Sequence, residues 1–361
     1  MKEFWQATPF WPALLLSLAL FILSLFSLTS LSFSASLAAL IASLLALRGN
    51  AISLALVAPL GFMLSFLALR AVGELPQGMY WGLFLGGLLL VVMCVGVVSL
   101  REGGGRLERI SHILPSLIIP FFLLFLWQGL IIGFNVPKGI FPAVSDVYKQ
   151  LSSSYQVLLN DSYITFIREV LFGFILGFLA GFLMGIATAF SSFLQRGFLP
   201  FAAAFGAVPI VGLAPVLGRA FGVDWESKAA VVVIVTFFPV LLNTVAGLTQ
   251  VDPLRLELLK SYAAKPLEIF LKLRLPNALP YIFNALKLAA VLSVISVIVA
   301  EFLIPGPPKG LGQRISLSAR QGAYDLVFAA IFVSSLISIS VYGIISLIER
   351  LLTGWHASFR E

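Results

Sequence analysis

Residues 252–266 read DPLRLELLKSYAAKP and form a short charged segment between two long apolar blocks. The apolar side chains of this segment recur at helical spacing, at Leu254, Leu258, Leu259 and Tyr262. Charged residues lie between them, so the pattern predicts a short amphipathic helix outside the membrane. The apolar face of such a helix needs a cover, and the residues alone leave two possibilities, a partner protein or the lipid surface.

The composition of the whole chain predicts a membrane protein. Of its 361 residues, 60% are hydrophobic and 11% are charged, whereas soluble domains carry about 25% charged residues. The apolar residues form continuous blocks near the ~20 residues that a membrane-spanning helix needs, and not the short alternating strands of a transmembrane barrel. We therefore predict an all-α polytopic membrane protein with about ten transmembrane helices, at residues 9–28, 30–47, 51–70, 79–100, 112–134, 163–190, 198–220, 228–248, 279–304 and 325–349.

Basic residues between the blocks predict the orientation. The net charge is +7, but lysine and arginine are concentrated in short connecting segments, which is typical of the positive-inside bias of membrane proteins and does not indicate nucleic-acid binding. The segment 249–278 is rich in basic residues and is placed in the cytoplasm, which puts both termini there as well. Lys309, Arg314 and Arg320 then fall on the outer side, against the bias.

A charged, glycine-rich linker, REGGGR at residues 101–106, divides the chain near residue 104. Such a composition is typical of flexible connections. Residues 1–104 hold four predicted spans with few polar groups, and residues 105–361 hold six spans with more proline and polar residues. We expect function to reside in the second part and the four additional helices to pack at its periphery.

One predicted span carries a stripe of glycines. They are spaced four residues apart, on one face of a helix, and are Gly173, Gly177, Gly181 and Gly185. Small residues at this spacing allow a neighbouring helix to approach closely in lipid, so the stripe predicts a helix-packing face. Arg168 and Glu169 begin the same span and are expected to form a local ion pair.

Polar and proline residues inside the spans are the candidates for a translocation pathway. Intramembrane polar groups are costly, and a proline frees carbonyl groups and kinks its helix. A pathway and a purely structural role, as kinks or helix–helix hydrogen bonds, both fit this pattern. The candidates are Pro209, Pro215, Asn243, Thr244, Asn284, Ser293, Ser296 and Glu301.

Metal and cofactor chemistry has little support in the residues. Cys94 is the only cysteine, and the two histidines, His112 and His356, lie far apart, so no cluster with zinc-ligand spacing is present. The sequence also lacks the Gly-x-x-x-x-Gly-Lys-Ser/Thr loop that binds nucleotide phosphates. We expect this chain to bind no metal or cofactor and not to be an enzyme.

The segment that ends at residue 276 resembles the signature cytoplasmic loop of binding-protein-dependent ABC importer permeases, Glu-Ala-Ala-x-x-x-Gly followed by Ile-x-Leu-Pro. Glu257 matches the acid, Leu258 and Leu259 replace the alanines, and Ala263 stands where glycine is usual. Residues 273–276, LRLP, match the end of the pattern. The flanking stretches 237–247, 275–283 and 300–303 are similar to the nitrate/sulfonate/taurine (bicarbonate) branch, and the resemblance covers residues 110–352.

This resemblance implies a six-helix ABC importer permease core in residues 105–361, in the cytoplasmic (inner) membrane of a bacterium or archaeon. The solute would be small and polar or anionic, either nitrate-, sulfonate- or taurine-like or a vitamin precursor. The segment 249–278 would be the coupling loop. Its ATPase-coupling residues would be Asp252, Arg255, Glu257, Leu259, Lys260, Ala263, Ala264, Pro266 and Pro276.

The implied partners complete a transporter. They are a second permease copy in a homodimer, two cytoplasmic ATPase subunits that bind ATP and Mg²⁺, and an extracytoplasmic solute-binding protein. In this arrangement a small residue at position 263 would allow close approach to the ATPase.

An ion-coupled secondary transporter is the alternative function. It would need paired intramembrane acids or discontinuous helices in repeated halves, whereas the sequence shows one deep acid in the 279–304 span, Glu301, and no internal repeat. A membrane-embedded enzyme would need clustered His, Asp or Ser/Lys groups, which the sequence does not show.

Overall fold

A computed structural model describes residues 51–70, 80–88, 91, 106–206, 208–304, 306 and 309–354. Across these ranges the chain is helical and contains no strand, which confirms the all-α prediction. Residues 80–88 are helical. The other helices are α1 (Ala51–Arg70), α2 (Arg106–Gly133), α3 (Val144–Ser153), α4 (Tyr155–Phe190), α5 (Ser192–Phe205), α6 (Ile210–Phe221), α7 (Trp225–Thr249), α8 (Pro253–Ser261), α9 (Pro266–Leu303), α10 (Leu311–Arg320) and α11 (Tyr324–Thr353).

Four of the described helices are long and apolar enough to cross a membrane, namely α4, α7, α9 and α11, with 36, 25, 38 and 30 residues. The predicted span 198–220 is instead a bent pair, because α5 and α6 meet at 98°. Pro209 precedes α6 in an extended conformation, while Pro215 lies inside α6. The predicted spans 9–28 and 30–47 lie outside the described residues, so the count of ten stays a prediction.

Helices α4 and α7 lie side by side along the glycine stripe. A methyl group added at Gly173 would lie 2.5 Å from the carbonyl oxygen of Ala229, and one at Gly181 would lie 2.6 Å from that of Phe237. All four glycines of the stripe are buried against α7 in this way. Because partner positions rise in the same order on both helices, α4 and α7 run parallel.

Helix α9 packs on another side of α7, and α11 packs on α9. The hydroxyl groups of Thr236 and Ser293 hydrogen-bond across the α7–α9 contact at 3.1 Å. An ion pair of 2.8 Å joins Lys287 of α9 to Glu349 of α11. The chain turns from α7 through α8 into α9, so α8 lies at one end of the bundle. The beginnings of α4 and α7, the end of α9 and all of α10 lie at the other end.

Two stretches of these long helices are π-helical. They are Tyr163–Leu171 within α4 and Phe270–Arg274 within α9. Such stretches are rare and often occur at functional sites. The first lies at the end of the bundle that carries α10, and the second follows α8.

The chain divides into two compact units, Met1–Val147 and Tyr148–Glu361. In the first unit, the Ser65 hydroxyl donates to the carbonyl of Phe84 at 3.0 Å, and the Tyr80 hydroxyl donates to the carbonyl of Gly129 at 2.9 Å. These bonds join α1, the helical residues 80–88 and α2. The proposed functional division into residues 1–104 and 105–361 stays a prediction.

Candidate functional site

The start of α8 is fixed by residues next to it in sequence. The Asp252 carboxylate accepts a hydrogen bond from the backbone N–H of Leu254 at 3.0 Å, which caps the helix. Pro253 occupies the first helical position, where its missing N–H costs nothing. Asp252 also lies 3.5 Å from the guanidinium of Arg255. These local contacts define the beginning of the helix without help from the rest of the bundle.

The end of α8 is a Schellman motif centred on Ala263. The N–H of Ala263 donates to the carbonyl of Lys260 at 2.9 Å, and that of Ala264 donates to the carbonyl of Leu259 at 3.1 Å. Ala263 therefore has a φ of +55°, in the left-handed region that favours glycine. The backbone conformation within the chain therefore favours a small residue at position 263, and close approach to the ATPase stays a prediction.

The exposed surface of α8 carries both apolar and charged side chains. Leu254, Leu258 and Tyr262 are 75%, 57% and 78% exposed. Leu256 and Leu259 are half-buried, which divides the apolar residues of the segment between two directions. The charged side chains Arg255, Glu257 and Lys260 are also exposed.

The loop is tied to the bundle at its base. The Asn277 amide donates to the carbonyl oxygens of Gly247 at 2.9 Å and Gln250 at 3.0 Å. Gly247 leaves room for α9, since a methyl group there would lie 2.7 Å from the Cα of Ala278. Arg274 donates to the carbonyl of Leu248 at 3.4 Å. Asn277 was not among the predicted coupling residues, although it is a polar residue that directly follows Pro276 in the sequence.

A second capped turn leads from the loop into α9. Pro266 begins this helix, and the Glu268 carboxylate accepts the backbone N–H of Lys265 at 2.9 Å. Pro276 lies ten residues further on and is half-buried. The predicted coupling residues therefore occur in two settings: exposed side chains on α8, and residues that shape the backbone on either side of it.

A buried polar cluster occupies the opposite end of the bundle. Glu301 of α9 accepts hydrogen bonds from the Thr165 hydroxyl of α4 at 2.7 Å and from the backbone N–H groups of Gly312 and Gln313. Thr165 in turn accepts the N–H of Leu311 at 2.8 Å. One carboxylate and one hydroxyl thus hold the first turn of α10.

Two ion pairs flank this cluster. Arg314 of α10 lies 2.6 Å from Asp161 of α4, and Lys228 of α7 lies 3.9 Å from Glu169 of α4. The expected local pair of Arg168 with Glu169 was wrong, because Glu169 faces α7 while the guanidinium of Arg168 lies over the Tyr163 ring. Glu169 is a further fully buried acid, besides Glu301, which the sequence pattern did not single out.

Comparison with known proteins decides between the functional classes. Residues 173–354 match the family of binding-protein-dependent transport system inner membrane components. The chain belongs to this family. It is therefore the membrane-spanning permease of an ABC importer and a multi-pass membrane protein. Members of this family are transport subunits and not enzymes, and the secondary-transporter alternative is not favoured.

Individual relatives agree with this assignment. The permease is 31% identical over 231 residues to a probable ABC transporter permease of Haemophilus influenzae, covering 64% of this chain and 93% of that one. It is 32% identical over 253 residues to the riboflavin transport system permease RibX of Chloroflexus aurantiacus, covering 68% and 92%. It is 30% identical over 153 residues to the putative aliphatic sulfonates permease SsuC of Escherichia coli, covering 42% and 57%. The predicted family resemblance is confirmed.

The predicted pathway residues of the permease occupy different environments. Thr244, Ser293, Ser296 and Glu301 are buried between helices. Asn243 is half-buried, and its side-chain amide donates to the carbonyl of Pro239, one turn earlier in α7, at 2.9 Å. Asn284, Pro209 and Pro215 are exposed. Their role in the pathway stays a prediction.

Metal ligation has no obvious place in the described part of the permease. Within those residues, no three His, Cys, Asp or Glu side chains are grouped as metal ligands would be. The charged groups at the α10 end instead pair with one another and with backbone donors.

Proposed function

We propose that α8 is the coupling helix of the permease, on which a separate ATPase subunit seats and transmits the energy of ATP binding and hydrolysis. The observation that carries this proposal is the exposed surface of α8. Leu254, Leu258 and Tyr262 are more than half exposed, and burying such side chains against a partner stabilises a complex. The caps at both ends give the helix a defined shape before any partner binds.

A protein partner fits this surface better than lipid does. A helix that lies on a membrane separates its apolar and charged side chains onto two faces. On α8 the exposed leucines alternate closely with exposed Arg255, Glu257 and Lys260. A protein groove with apolar pockets and complementary charges accommodates this mixture better than the surface of a bilayer does. We therefore propose that a protein partner, and not the lipid surface, covers the apolar side chains of α8.

The remaining assembly follows from the family and belongs to the same proposal. The permease pairs with a second copy and with two ATPase subunits, which bind ATP and Mg²⁺, and it receives solute from an extracytoplasmic binding protein. The chain itself binds no cofactor. It lies in the cytoplasmic membrane with α8 and both termini on the cytoplasmic side, as the basic residues of segment 249–278 indicate.

We propose a small polar or anionic solute. The relatives named for transport of riboflavin and aliphatic sulfonates support this class. The match to the riboflavin permease spans 92% of that protein and the match to the sulfonate permease spans 57%, so a vitamin or vitamin precursor is the first candidate to assay. Uptake of each solute by cells with and without the permease would separate the two.

Co-purification with the cognate ATPase tests the coupling-helix proposal. Glu257→Lys changes an exposed charge on α8 and is expected to release the ATPase from the permease. Glu226→Lys makes the same change at an exposed position in the first turn of α7, at the far end of the bundle, and should leave the complex intact. Retention of the ATPase by Glu257→Lys and by Leu258→Asp would exclude α8 as its seat.

A further inference from the structure

Helix α10 has no N-terminal cap of its own. Its cap position is Gly310, which has no side chain and makes no side-chain capping hydrogen bond. The first N–H groups of a helix have no partner within the helix, and a Ser, Thr, Asp or Asn side chain directly before it usually accepts one of them. The start of α10 therefore depends on other parts of the permease for its hydrogen-bond acceptors.

Two side chains that are distant in sequence supply these acceptors. The Thr165 hydroxyl of α4 accepts the N–H of Leu311 at 2.8 Å. One carboxyl oxygen of Glu301, near the end of α9, accepts the N–H groups of Gly312 and Gln313. The other oxygen of Glu301 accepts the Thr165 hydroxyl at 2.7 Å. Three successive N–H groups of α10 are thus capped jointly by α4 and α9, and only while the ends of those two helices stay together.

Close packing seats the first turn of α10 directly on these side chains. Glu301 is 1% exposed and Thr165 is 2% exposed. A methyl group added at Gly310 would overlap both the Glu301 carboxyl group and the Thr165 hydroxyl. One added at Gly312 would lie 2.6 Å from the carbonyl oxygen of Ile298 in α9. The backbone of α10 therefore lies against α9 with no room for a side chain between them.

Helix α10 is held on one side and accessible on another. The ion pair of Arg314 with Asp161, at 2.6 Å, gives it one more contact with α4. Leu317 and Arg320, further along the helix, are exposed. A displacement of the ends of α4 and α9 would therefore displace a surface that other molecules can reach.

Helix α9 joins this cluster to α8 at the other end of the bundle. It runs from Pro266 to Leu303 as one helix of 38 residues. Pro266 follows the Schellman motif of α8 by two residues, and Glu301 lies two residues before the end of α9. At the rise of an α-helix, Pro266 and Glu301 are about 50 Å apart along the axis. A single element thus connects the exposed surface of α8 to the cap of α10.

We propose that Glu301 is a positioning residue that, together with Thr165, makes α10 follow the movement of α9, so that a displacement of α8 by the ATPase reaches the opposite face of the permease. This inference rests on the proposed function of α8 as the coupling helix. Glu301 acts through the backbone N–H groups of α10, and this role needs no contact with solute. In the predicted orientation, α10 lies on the face where the solute-binding protein arrives.

Cysteine labelling of the permease–ATPase complex in lipid nanodiscs tests whether α10 is held in this way. Ser318 of α10 is 2% exposed, and Ser318→Cys with Cys94→Ser leaves the permease with this one thiol. Without nucleotide, the thiol of this parent protein should be protected from a maleimide. Thr165→Val removes two hydrogen bonds, and because each is worth a factor of about five in the opening equilibrium, labelling should become at least about tenfold faster. Thr165→Ser keeps the hydroxyl and should restore protection.

Addition of nucleotide tests whether α10 follows α9. In the parent protein, a non-hydrolysable ATP analogue with Mg²⁺ should leave the labelling rate unchanged, because α10 stays on α9. In Thr165→Val and in Glu301→Gln, whose amide keeps one acceptor oxygen, the analogue should raise the rate further, since α9 moves and α10 no longer follows it. A role in folding alone would not make the labelling of α10 depend on nucleotide.

A buried thiol elsewhere provides the control. Ser334 of α11 is 5% exposed, and Ser334→Cys should stay protected in every variant that keeps its fold; if Glu301→Gln fails this control, the Thr165 pair carries the test. Equal labelling of Ser318→Cys in Thr165→Val and Thr165→Ser would overturn the positioning role. Labelling that ignores nucleotide in variants that retain the ATPase would overturn the transmission and leave α8 as the seat. Loss of the ATPase from the parent protein would contradict the proposed function of α8 and the transmission with it, while the comparison without nucleotide still decides the positioning role.

Discussion

At the α8 end of the bundle, Asp252 and Arg255 are exposed and contact each other, whereas at the α10 end the buried Asp161 and Glu169 contact residues far away in sequence. Asp252 caps α8 and contacts Arg255 three residues on. Asp161 contacts Arg314, which lies 153 residues away. The first arrangement leaves a surface available to a partner, and the second joins four helices. The α8 end of the permease therefore offers exposed side chains to a partner, and the α10 end is stabilised by contacts among its own helices.

The largest expected effect comes from comparing the ion pairs at the two ends. A double-mutant cycle on Asp161 and Arg314 should give a coupling free energy of about 2 kcal/mol, as for contacting residues in one network. The same cycle on Asp252 and Arg255, whose side chains are 46% and 74% exposed, should give less than about 0.5 kcal/mol. Unfolding of the purified permease in mixed micelles measures both. Equal couplings would remove the contrast between the ends.

The next effect tests whether the loop depends on the two hydrogen bonds that Asn277 makes to residues 247 and 250. Asn277→Ala removes two hydrogen bonds to the end of α7, and each is worth about 1 kcal/mol. We expect the loop to loosen at its base, so that the ATPase still binds but its hydrolysis responds less to solute. Measuring solute-stimulated ATP hydrolysis in vesicles checks this. Asn160→Ala, at an exposed position of α4, is the matched control and should respond as wild type does.

A smaller effect is expected from the local cap. Asp252→Ala removes the side-chain acceptor at the start of α8 and should destabilise the helix by about 1 kcal/mol. Hydrogen exchange of residues 253–261 should become faster, while exchange in α10 should not change. Asp252→Asn, which keeps an acceptor oxygen, should restore most of the protection. Faster exchange at both ends would show that the cap is not a local device.

The smallest expected effect has the opposite sign. Ala263→Gly relieves the left-handed backbone at the end of α8 and should stabilise this turn by about 1 kcal/mol or less. Slower hydrogen exchange at the end of α8 checks it, and Ala263→Val should act in the other direction. If Ala263→Gly weakened ATPase binding instead, the methyl group of Ala263 would be part of the contact surface.

The fold could be predicted as far as it depends on apolar blocks and short-range spacing. Continuous apolar runs predicted the α4, α7, α9 and α11 spans, and the glycine spacing predicted which face of α4 would meet a neighbour. The sharp bend at Pro209 was foreseen as an interruption, but its 98° angle was not. Bends and angles depend on what packs against each half, and that is set by other helices.

The charged residues predicted on the outer side show why ion pairs could not be predicted from neighbouring residues alone. Arg314 broke the positive-inside pattern, and no neighbour in sequence accounted for it. In the folded permease Asp161 lies 2.6 Å away and compensates this charge. Glu169 was likewise assigned to its neighbour Arg168, because adjacent opposite charges were the only pairing visible.

The sequence by itself determined the membrane location, the family, the position of α8 and the caps that shape it. Each of these depends on composition or on residues within a few positions of one another, and such contacts form wherever that stretch of chain is helical. Only the tertiary structure decided that Thr165 meets Leu311, 146 residues away, and that Glu169 meets Lys228. A buried polar group can be satisfied by any donor that folding brings to it, and the sequence does not record which one arrives.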